Sequence, residues 1–437
     1  MFSLQELLND LSLQWRNTNK LCGDNVAKNL KFDSILELLS SSSKYALIGT
    51  DDVESPTTHS RLVNFIKNEG DLNRFGLGRG DRIGVLLPLG PHLIVSILTA
   101  ITYCTCAPIN PMSTEEEIKS ELKNLRIKAV IVLDDPSSSH IQSASQSLNL
   151  QIIFLRPNSE ECGLFSLTST NQSQHIPNKL PINHSKSDDI AIVLHTSGTT
   201  GTKKIVPIKL RDLCVSAVLV ASSMQLNNQD ICLNMMPLFH VGGIVRNLLA
   251  PLLAGGSIIC TTGVDPSLFW KLCKTKNCTW YYAAPTIHMS IIEEAEKLEN
   301  TLCSIRIIVN AAGNLPPTVA GKLKNLFHAT ILPSYGMTEC MPISCPPPQY
   351  NLERIGSSGI VVGPQLCIMD DTNNIVPAGI TGNIMIRGIP VMSGYENDVE
   401  ANTRSFTEDG WFSTGDRGYL DNDNYIYITG NIHGRYL

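Results

Sequence analysis

Nothing in this chain stays apolar long enough to cross a bilayer: the longest windows, such as LIVSILTAITYC at 93–104, fall well short of the ~20 residues a spanning helix needs. The N-terminus, MFSLQELLNDLSLQWRNTNK, lacks the basic start and unbroken apolar core of a secretory signal. Basic clusters with interleaved aromatics are also missing, and a formal net charge of -6 leaves no positive stripe, so nucleic acid is not an expected partner. The 13 cysteines make no CxxC pair and no zinc-like spacing. They read as small apolar core residues in a reducing, cytoplasmic setting, with Cys104 and Cys106 as an alternative redox pair. With 43% hydrophobic and 17% charged residues, the composition is that of a soluble globular enzyme. Its 437 residues exceed the roughly 250–300 at which a single core stops growing, which predicts two or three cores.

A strand-helix rhythm organises most of the chain and predicts an α/β fold. RIGVLLP from Arg82 reads as a buried strand, Pro91 to Tyr103 as a helix, and KAVIVLD at 128–134 as a further strand. Ser113 and Thr114 stand at capping-box distance from Glu116 and Glu117, opening the helix EEEIKSELKNL. Arg156 to Lys186, rich in Ser, Asn, Gln and Pro, reads as a surface connection, after which the rhythm resumes through AIVLHT, LRDLCVSAVLVASSM, ICLNMMP, GIVRNLLAPLLA, SIIC and IRIIVNAA. Beyond about Asn351, short strands alternate with turn residues, which predicts a small β-barrel or sandwich. The expected division is an extension at 1–30, a first α/β subdomain at 31–185, a second with the ATP and acyl sites at 186–350, and a barrel-like β-rich subdomain at 351–437.

Several stretches carry chemistry rather than core. HTSGTTGTKK, 195–204, joins glycines that let backbone approach a ligand to hydroxyls and the Lys204 ammonium, a donor-rich combination suited to polyphosphate. It is not a Walker A loop, because Thr202 rather than lysine follows the second glycine, and a polar surface hairpin is the other reading. In SYGMTEC, 334–340, Glu339 is a natural Mg2+ ligand beside a phosphate, Tyr335 offers a flat face to a base and Thr338 a hydroxyl; alternatively this is a capped turn with Tyr335 in the core. DGWFSTGDRGYLD places Asp416 in a glycine-flanked turn, as a ribose acceptor or an ordinary surface aspartate. In PLFHVGG, His240 is either a satisfied core histidine or, beside Gly242 and Gly243, a cavity wall. Arg246 follows as a helix-surface arginine, or as a partner for a second carboxylate of a diacid.

Taken in order, TSGTTGTKK, PLFHVGG, NAAGNLPP, SYGMTE, STGD and YIYITGN resemble the adenylate-forming superfamily of acyl-CoA synthetases, coumarate-CoA ligases, luciferases and peptide-synthetase adenylation domains, from about residue 31 to the end. The resemblance implies activation of a small carboxylic acid by ATP to an acyl-adenylate, with release of pyrophosphate and transfer to CoA or a carrier-protein thiol. It implies that Thr196, Ser197, Gly198, Thr199, Thr200 and Gly201 hold the β and γ phosphates with Lys204. Thr338 and Glu339, with Gly336 and Met337 in the same strand-turn, would meet the α-phosphate and Mg2+, Tyr335 would stack on adenine and Asp416 would take the ribose. Ala311 to Asn314, with Ala312 and Gly313 within it, would lie between the adenine and acyl sites, and His240, Val241 and Gly242 would line the acyl pocket with Ala311.

Three departures from the family pattern stand out. Lys203-Lys204-Ile205 replaces Pro-Lys-Gly. Asn431 stands where the family has a ribose-binding arginine and His433 where it has a hinge lysine, with Arg435 as a possible substitute in a shifted register. The chain ends at Leu437, where the family adds a mobile domain of roughly a hundred residues that supplies a lysine to adenylation. The expectation is therefore slow adenylation and little thioester formation from this chain by itself, and the rival reading is a non-catalytic or regulatory chain that binds ATP and acid.

Overall fold

A computed structural model describes residues 3–170, 183–196 and 203–431. Two seven-stranded sheets form its body. The first has the strand order Ile205–Lys209, Ile190–His195, Thr105–Pro108, Arg82–Leu86, Ala129–Leu133, Gln151–Pro157, Phe165–Ser169. Its inner strands are parallel and its two outermost strands antiparallel to their neighbours. Runs such as AVIVL, buried on both faces, are what helices packed on both sides of a parallel sheet require.

The second sheet runs Thr330–Pro333, Ile307–Asn310, Trp280–Ala283, Ile231–Asn234, Ser257–Cys260, Tyr45–Ile48, Thr57–Thr58, parallel except at the last pair. Strand pairing therefore crosses the 185/186 division expected from sequence. Residues 190–209 complete the first sheet and residues 45–58 the second. Hydrophobic periodicity marks each strand but not the sheet it joins, because pairing partners are chosen by tertiary packing.

The β-rich end is a four-stranded antiparallel sheet, Gln365–Met369, Gly382–Arg387, Phe412–Leu420, Ile426–Asn431. A further four-stranded sheet joins Leu21–Cys22, Ile360–Gly363, Cys340–Cys345 and Tyr335–Met337.

Local signals account for the helix starts. Pro91 opens Pro91–Tyr103 at a position where a missing N–H is harmless. Thr114, not Ser113, forms the capping box: its Oγ1 accepts from Glu117 N at 3.3 Å and its N donates to Glu117 Oε2 at 2.9 Å. The extension at 1–30 is part of the body. Helices Leu4–Thr18 and Gly23–Asn29 pack on the buried helix Leu210–Ser223, and Trp15 has no exposed surface. The expected connection at Arg156–Lys186 contains an edge strand, Phe165–Ser169, paired antiparallel with Gln151–Pro157. Cysteines are buried except Cys22 and Cys303, and none is in a disulfide. Cys104 and Cys106 do not support a redox pair, since burial pushes both thiols up. Among the described residues no helix is long and apolar enough to cross a membrane.

Candidate active site

The C-terminal ends of parallel strands lead into the singled-out motifs, except that of Asp416. Strand Ile190–His195 leads into the 196–204 segment, which returns as Ile205–Lys209 with Ile205 paired to His195. In the second sheet, Ile231–Asn234 leads to His240, Ile307–Asn310 to Ala311, and Thr330–Pro333 to Tyr335. Ligands of open α/β sheets bind in this position, because loops and unpaired backbone groups face one crevice there.

Strands Ile190–His195 and Ile205–Lys209 pair antiparallel, so residues 196–204 connect the two arms of a hairpin. Thr196 N donates to Lys204 O at 2.9 Å, and Lys204 N donates to Thr196 Oγ1 at 3.3 Å, closing its base. Outside the closure, the Lys203 ammonium donates to Glu121 at 2.5 Å, which ties the stem to helix Glu115–Asn124. Ser197, Gly198, Thr199, Thr200 and Gly201 lie outside the described residues, as do His433 and Arg435.

Thr338 and Glu339 form the two-residue turn between strands Tyr335–Met337 and Cys340–Cys345, with Met337 paired to Cys340. A Cβ at Gly336 would stand 2.5 Å from the Met341 sulfur, so that thioether lies directly against the strand. Glu339 is 7% exposed, and desolvation raises its pKa above the ordinary 4.5, with Lys204 and a hydrogen bond from Tyr395 pulling the other way. The Tyr395 hydroxyl donates to Glu339 Oε1 at 2.7 Å, while the Lys204 ammonium lies 4.5 Å from the centre of the Tyr395 ring.

Backbone bonds complete this arrangement: Met392 N donates to Glu339 O at 2.8 Å and Glu396 N to Ile205 O at 2.9 Å. The segment 390–396 thus straps the base of the Lys204 loop to the Glu339 turn. Sequence reasoning missed Tyr395, whose one signal is an aromatic residue in a Gly-rich, turn-forming stretch. Tyr395→Phe keeps the ring under Lys204 and removes the hydrogen bond to a charged group. It is expected to lower turnover by about 10-fold and to raise the Mg2+ concentration for half-maximal rate, measured by metal titration at saturating ATP.

Asp416 does not sit in a turn: it is within strand Phe412–Leu420. Gly415, at φ 80°, supplies the irregularity that the sequence suggested as a turn. Tyr335 donates to Asp416 Oδ2 at 2.5 Å, and burial raises the Asp416 pKa. The Tyr335 ring is itself in an apolar cluster with Val206, Ile343 and Phe412, as its core reading had it. Asn431, at the position of the family arginine, pairs directly with Asp416 across the strands and so shares its face.

On the far side, Val241 lines one cavity with Thr338, Glu339, Met341 and Val245. Gly242 approaches the Tyr282 hydroxyl so closely that a Cβ would lie 3.0 Å from it. His240 is exposed, 4.7 Å from the Phe239 ring, and crowding by protein lowers its pKa, which favours the neutral imidazole. It does not line that cavity. Ala312 has φ 62°, a strained value for a residue with a side chain, and Asn310 Nδ2 donates to Gly313 O at 2.9 Å to hold the turn. The same Asn310 accepts at its carbonyl from Ser334 N, which sets Ala311–Gly313 beside Tyr335. Arg246, read from sequence as a helix-surface residue, is instead 1% exposed.

Among the described residues no three metal-ligating side chains gather, so any divalent ion must take most ligands from elsewhere. Glu339 fits Mg2+ on those terms, since Mg2+ keeps waters and binds one or two carboxylates plus substrate phosphates. Among the described residues its desolvated anion also has no fixed cation in hydrogen-bond contact, a charge that such an ion would supply.

Comparison with known proteins gives the family of the chain. The profile of the AMP-binding enzyme family matches residues 71–396. An oxalate-CoA ligase of Arabidopsis thaliana is 31% identical over 385 residues, covering 86% of this chain and 74% of that protein. An oxalate-CoA ligase of Saccharomyces cerevisiae is 32% identical over 378 residues, covering 81% and 69%. The crystal structure of ATP-bound MatB from Rhodopseudomonas palustris superposes with a TM-score of 0.77 at 21% identity, over 94% of this chain and 79% of that one, and shares the fold.

Proposed function

Since this chain belongs to the AMP-binding enzyme family and has acid-CoA ligases as relatives, we propose that it uses ATP to activate a carboxylic acid and passes the acyl group to CoA. A carboxylate oxygen of the acid bonds to the α-phosphorus while the bond to the bridging oxygen of pyrophosphate breaks. Pyrophosphate leaves and an acyl-adenylate remains. The sulfur of a deprotonated thiol, CoA or a carrier-protein thiol, then bonds to the acyl carbon and AMP leaves. Catalysis of the first step is mainly positioning and neutralisation of charge.

The observation that supports this reading is the convergence of three singled-out side chains on two tyrosines. Lys204 lies over Tyr395, Tyr395 donates to Glu339, and Tyr335 donates to Asp416. Lys204, at the base of a glycine-and-hydroxyl loop, neutralises the outer phosphates. Glu339 would hold Mg2+ together with the phosphates, and the ion would supply positive charge to the α-phosphate region. Thr338 donates its hydroxyl there. Asp416 accepts from the ribose hydroxyls, oriented by Tyr335, while adenine rests against the Ala311–Gly313 turn. Val241 and Gly242 face the acid, and the exposed His240 stands outside the cavity that Val241 lines. The buried free thiols suit a reducing compartment such as the cytoplasm.

ATP-pyrophosphate exchange with a panel of aliphatic, aromatic and dicarboxylic acids tests this. Exchange is expected to depend on both acid and Mg2+. Tight, Mg2+-dependent ATP binding in calorimetry, with no exchange for any acid, would instead establish a nucleotide-binding chain without turnover.

A further inference from the structure

Arg246 is among the largest fully buried side chains of the described residues, and it is charged. No carboxylate among the described residues pairs with it. Its Nε has no hydrogen-bond partner among the described residues. Among the described residues the guanidinium meets a weak acceptor, the Met341 sulfur at 3.7 Å, and the face of the Tyr282 ring at 5.5 Å, with the Cys345 thiol nearby. Burial pulls its pKa down, yet a guanidinium keeps its proton in protein surroundings. A methionine or leucine of similar volume would fill this space without that penalty.

Position supplies the second observation. Arg246 lies one turn beyond Gly242, in the segment Gly243–Leu249, which is wound as a π-helix, a local form frequent at functional sites. Gly242 abuts the same Tyr282 and Met341 that the guanidinium touches. Met341 in turn lines the cavity shared by Val241, Thr338 and Glu339. Its unbranched thioether is the movable element between cation and cavity.

We propose that Arg246 is a specificity-determining residue that pairs with a second negative group on the acid, so that the substrate class is short dicarboxylates or acids with an anionic far end. This rests on the acid-activating reading above. The acid is then held at both ends: its reacting carboxylate near Thr338 and Glu339, its distal anion on a cation already stripped of water. A monocarboxylate of equal length leaves that cation unpaired, and sites built around a buried polar partner reject ligands lacking it strongly.

The test uses pyrophosphate release with length-matched pairs, butanoate with succinate and pentanoate with glutarate, on the parent, Arg246→Met and Arg246→Lys. The parent is expected to favour the dicarboxylate in kcat/KM by at least about 30-fold, Arg246→Met to lose or reverse that ratio, and Arg246→Lys to keep part of it. Arg246→Met should melt at or above the parent temperature, the opposite of what a purely structural arginine predicts. Stabilisation by the dicarboxylate, read as a melting shift in the presence of ATP, is expected for the parent and absent from Arg246→Met. A ratio unchanged by Arg246→Met, or a parent that prefers monocarboxylates, overturns the inference while acid activation stands. Dicarboxylate stabilisation without pyrophosphate from any acid overturns activation and leaves the anion site. Absence of both overturns both.

Discussion

Glu339→Gln is expected to lower acid-dependent pyrophosphate exchange by about 10³ and to abolish its Mg2+ dependence, as removal of a preorganised charged group from such a site does. The same substitution is expected to leave the melting temperature at neutral pH equal to the parent's or higher. The sign follows from burial. The folded pKa of Glu339 lies above its ordinary 4.5, so at neutral pH the native state carries a desolvated anion that the unfolded chain solvates freely. That penalty shrinks as pH falls through the folded pKa and is gone below the unfolded value, so the variant and the parent converge in acid. Melting curves of both at neutral pH and at about pH 4 check this. A substitution that removed activity and stability together would mark Glu339 as a structural residue. The acid limb of the parent's exchange profile should also stand higher than for an ordinary carboxylate, since burial raises Asp416 as well.

Lys204→Ala is expected to lower exchange by about 10² to 10³ and to weaken ATP binding by about 10-fold. The ammonium has no carboxylate at hydrogen-bond distance among the described residues; it rests on the Tyr395 ring, a contact worth little when partly exposed. Its removal therefore costs the fold little and the triphosphate site much. Lys204→Arg should recover part of the binding but less of the rate, because a planar fork does not occupy the position of a point charge. Calorimetry with ATP, beside exchange kinetics, separates the two effects. Equal exchange in the parent and Lys204→Ala would remove the loop from the reaction. By contrast, the Lys203 ammonium is occupied by Glu121, so the two adjacent lysines have different surroundings.

What was legible in the sequence has a local cause. Pro91–Tyr103 and Glu115–Asn124 begin where a proline and a capping box place them, since both signals act within one turn. The parallel strands show as unbroken apolar runs because both of their faces are covered. Motif order also groups Lys204, Glu339 and Asp416, which lie far apart along the chain. Asp416 was misread as a turn residue because Gly415 and Gly418 look alike in a turn and in an irregular strand. Gly418 is held in the strand by the approach of Tyr427 O, which would lie 2.2 Å from a Cβ.

By itself, then, the sequence determined the α/β class, the positions of most strands and helices, and the family with its motif residues, because these depend on neighbours a few positions away. The tertiary structure alone decided which sheet each strand joins, that Tyr395 reaches Glu339 from 56 positions along the chain, and that Arg246 is buried rather than on a surface. Such facts turn on which apolar faces pack together and which charges lose their water in doing so, and the chain closes those contacts over distances at which a sequence pattern carries no signal.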